Sequence, residues 1–141
     1  MTILLSLHLL AIGIWIGVVG AEFAIEFDGM KDDKSLLKAA KLHYTTDKWV
    51  EIPAFVTVLI TGILMLDETH LTGLFLVKVI FGLLAVLFNF ICVIAVFKRQ
   101  KFAAAQDFDG MKSTDRLMRL GALVIPTFLI AFALGAYFVA I

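Results

Sequence analysis

The sequence predicts an all-α membrane protein, a bundle of four transmembrane helices built from two repeated helical hairpins with both termini outside. Three observations carry this. The 141 residues are 62% hydrophobic with a mean hydropathy of +1.02, more apolar than a soluble domain of this length. Four apolar runs, at about 3–21, 52–66, 73–97 and 120–141, each approach the roughly 20 residues that cross a bilayer. Two motifs recur in order. Phe27-Asp28-Gly29-Met30-Lys31 returns as Phe108-Asp109-Gly110-Met111-Lys112, and Ile52-Pro53-Ala54-Phe55 returns as Ile125-Pro126-Thr127-Phe128. Two hairpins in one orientation imply a pseudo-two-fold axis along the membrane normal. The chain reads as one domain, 1–141, with repeat halves at about 1–70 and 71–141.

Each helix follows from local signals. The first is expected over about 2–26, ending where Asp28-Gly29 breaks the pattern. It lacks the basic leader and the cleavage context of a signal peptide. The second is expected from Ser35, a plausible N-cap, through Trp49 and the internal Pro53 to about Leu66. Residues 67–73 form the outer connection, and Asp67, Glu68 and His70 read as a solvated polar loop. The third helix runs from about Leu74 past Phe97. The fourth runs from about Thr114 to the end, with Pro126 placed like Pro53.

Charge distribution sets the orientation. Lys31, Lys34, Lys38, Lys41 and Lys48 lie between runs one and two. Lys98, Arg99, Lys101, Lys112, Arg116 and Arg119 lie between runs three and four. The positive-inside rule makes both connections cytoplasmic. This predicts a multi-pass protein of the inner (cytoplasmic) membrane with both termini on the periplasmic side. Its partners are the lipid bilayer and, through Gly13, Gly17, Gly20 and Ala21, a neighbouring helix or a second copy in a homo-oligomer. The basic segments carry matching acids, so nothing points to nucleic acid. The lone Cys92 excludes an intrachain disulfide.

The strongest constellation lies at 22–51. Glu22 and Glu26 are one helical turn apart, and His43, Asp47 and Glu51 repeat at the same spacing, so each set lines one helix face. In an antiparallel hairpin the register that pairs Glu22 with Glu51 also pairs Glu26 with Asp47, both at an index sum of 73, with His43 one turn further out. Facing carboxylates repel unless one takes a proton or a cation sits between them. Oxygen ligands with one imidazole suit Fe, Mn or Zn. Three readings stay open at this point: a divalent-metal binding or transport site, ordinary ion pairs to Lys41 and Lys48, and a proton relay. A cofactor-free membrane assembly subunit is a further alternative.

Leu7-His8 with Trp15, Pro53-Ala54-Phe55 with Thr57 and Gly62, Lys78, and Pro126-Thr127 with Leu129-Ile130-Ala131 together resemble the HemJ-type membrane protoporphyrinogen oxidases and the wider CopD-like group. The resemblance covers the whole chain. It implies a four-helix fold, haem b and redox chemistry, with His8 and Lys78 as the cofactor-binding residues. The chain departs from that pattern at Asn89, where the family has a histidine, and lacks the arginine of the family's first helix. If the haem implication holds, the purified protein shows a Soret band that His8→Ala weakens. A colourless protein of full helical content rules it out.

Overall fold

Helix follows helix with short breaks in the computed structural model, which describes residues 2–140. Met1 and Ile141, and the side chain of His70, lie outside the described set. The helices are α1 (Ile3–Gly29), α2 (Asp33–Thr46), a π-helical turn (Asp47–Glu51), α3 (Ile52–Leu64), a 3₁₀ turn (Glu68–His70), α4 (Gly73–Ala104), α5 (Phe108–Ser113), α6 (Asp115–Gly121) and α7 (Val124–Ala140). No strand occurs among the described residues. Three stretches are long and apolar enough to cross a membrane: Ile3–Gly29, Gly73–Ala104 and Phe108–Ala140.

The starts and stops have physical causes. Thr2 caps α1 by accepting from the Leu5 amide. Asp32, not Ser35, caps the second rod. Its carboxylate accepts from the Ser35 amide at 2.7 Å, so the cap lies three residues earlier than the sequence suggests. The two prolines of the repeat are resolved in opposite ways. Pro53 has no N–H for the Trp49 carbonyl and its ring crowds that group. The chain widens into the π turn just before it, and Ile52 bonds back to the Asp47 carbonyl. At Pro126 the chain tightens instead. Ile125 bonds to the Ala122 carbonyl at 3.2 Å, and α6 and α7 are separated by a two-residue turn.

α1 packs along α2, the π turn and α3. α4 packs along α5, α6 and α7. The two pairs meet where α2 touches α4, as at the Tyr44–Phe97 ring contact. The core centres on Trp15, whose ring meets Phe55 at 6.1 Å and Phe128 edge-on at 5.4 Å. Val19, Ala54, Ala85, Val93 and Val124 complete it. A smaller cluster of Ala40, Ala103 and Met111 ties α5 to α2 and α4. The outward faces carry exposed Leu10, Ile14, Leu83, Leu87, Phe90, Leu129 and Phe132. Lipid rather than water suits such a surface.

The repeated pentapeptide takes two roles. In the first half Phe27-Asp28-Gly29 closes α1; in the second it forms the separate α5, capped by Asp107. How closely helices approach differs from one glycine to another. α6 approaches α4 so closely that a Cβ on Gly121 falls 2.5 Å from the Cys92 Cβ and 2.8 Å from its Cα, whereas a Cβ on Gly17 meets nothing within 4 Å. Gly121→Ala therefore lowers stability by about 1–3 kcal/mol through overpacking, and Gly17→Ala leaves it nearly unchanged, as read by unfolding in detergent micelles. The Ser35 bond holds the Asp32 carboxyl below its ordinary value of 3.8. A lowered folded value means that the cap stabilises above pH 3.8 and loses this as pH falls through the folded value. Asp32→Ala should flatten that acid limb.

Candidate metal centre

Five acidic or imidazole side chains predicted from the sequence meet at the end of the hairpin nearest the α1–α2 reversal. The first-helix pair, Glu22 and Glu26, comes from α1. His43 comes from the last turn of α2, and Asp47 and Glu51 bracket the π turn. All but Glu26 are withdrawn from the surface: Asp47 is 1% exposed, Glu51 3%, His43 4% and Glu22 5%. The π turn contributes directly, since its wider winding changes where Asp47 and Glu51 point relative to an unbroken α-helix.

The observed register differs from the sequence expectation by about one turn. Glu26 meets His43, Glu22 lies beside Asp47, and at the far end His8 meets Thr61. Each of these pairs has an index sum of 69, not 73. The antiparallel geometry holds over the length of the hairpin. The tight reversal through Met30–Lys31–Asp32, closed by the Lys31–Asp28 ion pair, consumes fewer residues than a looser loop would.

His43 is the hub. Its Nδ1 lies 2.6 Å from Glu26 Oε1. Its Nε2 lies 3.5 Å from both Glu22 Oε2 and Asp47 Oδ1. Those two contacts are too long for hydrogen bonds of normal N···O length. Nε2 and both Asp47 oxygens are buried without a hydrogen-bond partner, and ligand atoms of Glu22, His43 and Asp47 all lie within 4.8 Å of one another. Glu22 is steadied by its other oxygen, Oε1, which accepts from Thr46 Oγ1 at 2.8 Å. Glu51 stands beside Asp47, and Asn89 of α4 stands beside Glu51.

Three residues of α4 complete the surroundings. Arg99 donates to both oxygens of Glu26 at 2.7 Å through Nη1. Cys92 lies beside His43. Asn89 accepts from the Trp15 indole at 3.0 Å, while its own amide nitrogen has no partner. Sequence reasoning placed none of the three in the site. The signal was available, because Ala85, Asn89, Cys92, Val96 and Arg99 follow 4-3-4-3 spacing and so share one helix face.

His8 and Lys78 lie apart from this cluster. His8 Nδ1 is 2.7 Å from Thr61 Oγ1. Thr61 gives its own proton to the Thr57 carbonyl at 2.6 Å, so His8 is the donor of that pair and keeps its Nε2 lone pair. The His8 ring lies against the α3 backbone, where a Cβ on Gly62 would stand 3.4 Å from Cε1. Lys78 is within electrostatic reach of His8, and its ammonium sits over the Phe75 ring at 5.1 Å. The apolar cleft in the core is bordered by Trp15, Ile16, Val19, Val124, Ile125 and Phe128. It is lined by neither His8 nor Lys78.

Ion pairing to Lys41 and Lys48 is not what balances the cluster. The Lys48 ammonium lies over the rings of Trp49 and Tyr44, at 5.2 and 6.0 Å. Among the described residues, neither lysine bridges to Glu22, Glu26, Asp47 or Glu51. Lys41→Ala and Lys48→Ala should each change stability by no more than about 0.5 kcal/mol in detergent unfolding. A loss of several kcal/mol from either would restore the ion-pair reading. No family model, curated protein or solved structure matches the chain.

Proposed function

We propose that this chain is a four-helix protein of the inner membrane that binds one divalent transition-metal ion at Glu22, His43 and Asp47. The observation that carries the reading is the convergence of unpartnered, buried atoms. His43 Nε2 and both oxygens of Asp47 make no hydrogen bond and face Glu22 at separations suited to a shared ion. Tetrahedral coordination at about 2.0–2.1 Å puts neighbouring ligand atoms roughly 3.4 Å apart, close to the two 3.5 Å separations at His43 Nε2.

Charge balance supports the same conclusion. Four carboxyl groups, Glu22, Glu26, Asp47 and Glu51, share a water-poor interior with one permanent cation, Arg99, which is committed to Glu26. Uncompensated buried charge is strongly unfavourable. A divalent cation supplies compensation where Glu22 and Asp47 face the imidazole. Two carboxylates and one imidazole suit Mn, Fe or Zn. With three protein ligands, the coordination sphere is left open for water or an exchangeable group, unlike a closed structural site.

The fourth crossing follows from the same residues. The π turn divides the rod of α2 and α3, so α3, at 13 residues, is by itself too short to cross. The acids of the rod face inward, however. Outward it presents Trp49, Val50, Val56, Ile60, Ile63 and Leu64, with Trp49 and Lys48 placed to anchor at the headgroup level. An ion that neutralises Asp47 and its neighbours lowers the cost of inserting this rod. The basic connections then lie in the cytoplasm, and both termini face the periplasm.

Elemental analysis of protein purified in detergent should find about one equivalent of Mn, Fe or Zn per chain. The Glu22→Gln/Asp47→Asn double variant, and separately His43→Ala, should weaken Zn2+ binding more than about 100-fold. Unchanged metal content in both variants would remove the assignment.

A further inference from the structure

The hydrogen-bond chain behind His43 reaches across the molecule to α4. Arg99 Nη1 lies 2.7 Å from each oxygen of Glu26, and Glu26 Oε1 lies 2.6 Å from His43 Nδ1. A carboxylate held by a guanidinium is an acceptor only. The proton in the 2.6 Å contact therefore sits on Nδ1. The opposite nitrogen faces two carboxylate oxygens at 3.5 Å. Glu26, itself held by Arg99, therefore sets which way the ring points, with Nε2 turned toward Glu22 and Asp47.

We infer that Arg99 is a positioning residue for His43. By holding the Glu26 carboxylate against the Nδ1–H, it fixes the orientation of the imidazole and aims Nε2 between Glu22 and Asp47. The arginine touches none of the three candidate ligands and acts only through Glu26. Glu26 itself comes from α1, so the chain joins three helices, α1, α2 and α4, at a single imidazole. Met118 of α6 adds a fourth, with its sulfur 3.5 Å from the same Nη1. Carboxylate–imidazole pairs of this kind orient metal-binding histidines and raise their basicity, and their loss weakens metal binding about 10–100-fold. The inference rests on the proposed metal site for its purpose, whereas the orientation of the ring is a property of the metal-free protein.

The test uses the full chain in detergent, labelled with 15N at histidine. In the metal-free wild type, the His43 Nδ1–H should give the downfield 1H signal of a short hydrogen bond to a carboxylate. Arg99→Gln and Glu26→Leu should each weaken or abolish that signal and lower Zn2+ affinity about 10–100-fold. Arg99→Lys should restore most of both, and Glu26→Gln, which retains an acceptor oxygen, should lose less than Glu26→Leu. A His43 Nδ1–H signal unchanged in Glu26→Leu, with Zn2+ affinity within twofold of the wild type, would overturn the inference. Because Glu26→Leu leaves Arg99 in place, it also serves if Arg99→Gln fails to fold. A wild type that binds no Zn2+ yet shows the Nδ1–H signal and its loss in the variants would remove the metal site and leave the positioning role standing.

Discussion

Buried negative charge with too little positive charge beside it is the constraint on which the end of this molecule nearest the α1–α2 reversal depends. The carboxyls of Glu22, Asp47 and Glu51 are withdrawn from solvent almost completely, and Arg99 answers only Glu26. Hydrogen bonds soften this for Glu22, through Thr46, and leave Asp47 with nothing. Leaving a buried carboxylate uncompensated is among the more destabilising arrangements available to a small protein. At the meeting point of α1, α2 and the π turn, either a bound proton or a cation has to answer this charge.

The backbone is arranged to make this concentration of acids sterically possible. Pro53 cannot take part in regular α-helical bonding, and the turn before it widens. That widening falls on the segment bounded by Asp47 and Glu51. The second proline, in an equivalent motif, sits in a segment with no acids and produces a tightened turn instead. A repeated sequence element has thus been put to two structural uses. One copy shapes a polar site, and the other lets α6 press against α4, where Gly121 leaves room for Cys92.

Much of this was legible in the sequence. Helical content, the apolar runs and the hairpin pairing all follow from hydropathy and spacing, and the i, i+4 pattern of His43, Asp47 and Glu51 correctly gathered them with Glu22 and Glu26. The exact register was not legible, because it depends on how few residues the reversal at Met30–Lys31–Asp32 uses, and loop length is weakly encoded. Arg99 was hidden by its neighbours. Between Lys98 and Lys101 it looks like one more cytoplasmic cation, and only the rotation of α4 turns it inward while the lysines stay out. Asn89 was noticed only as a departure from a histidine pattern, although its spacing from Arg99 already placed the two on one face. Whether Lys48 pairs with acids or with rings could not follow from spacing, since both lie within reach of its long stem.

The Trp15 layer has a consequence for the hairpin as a whole. Indole and phenyl rings, with Ala54 and Ala85 packed among them, separate the acidic cluster from the His8–Thr61 pair toward the opposite leaflet. No unbroken relay of exchangeable hydrogens joins the two among the described residues. The polar groups at the two ends of the hairpin therefore form two separate sets, one on either side of Trp15.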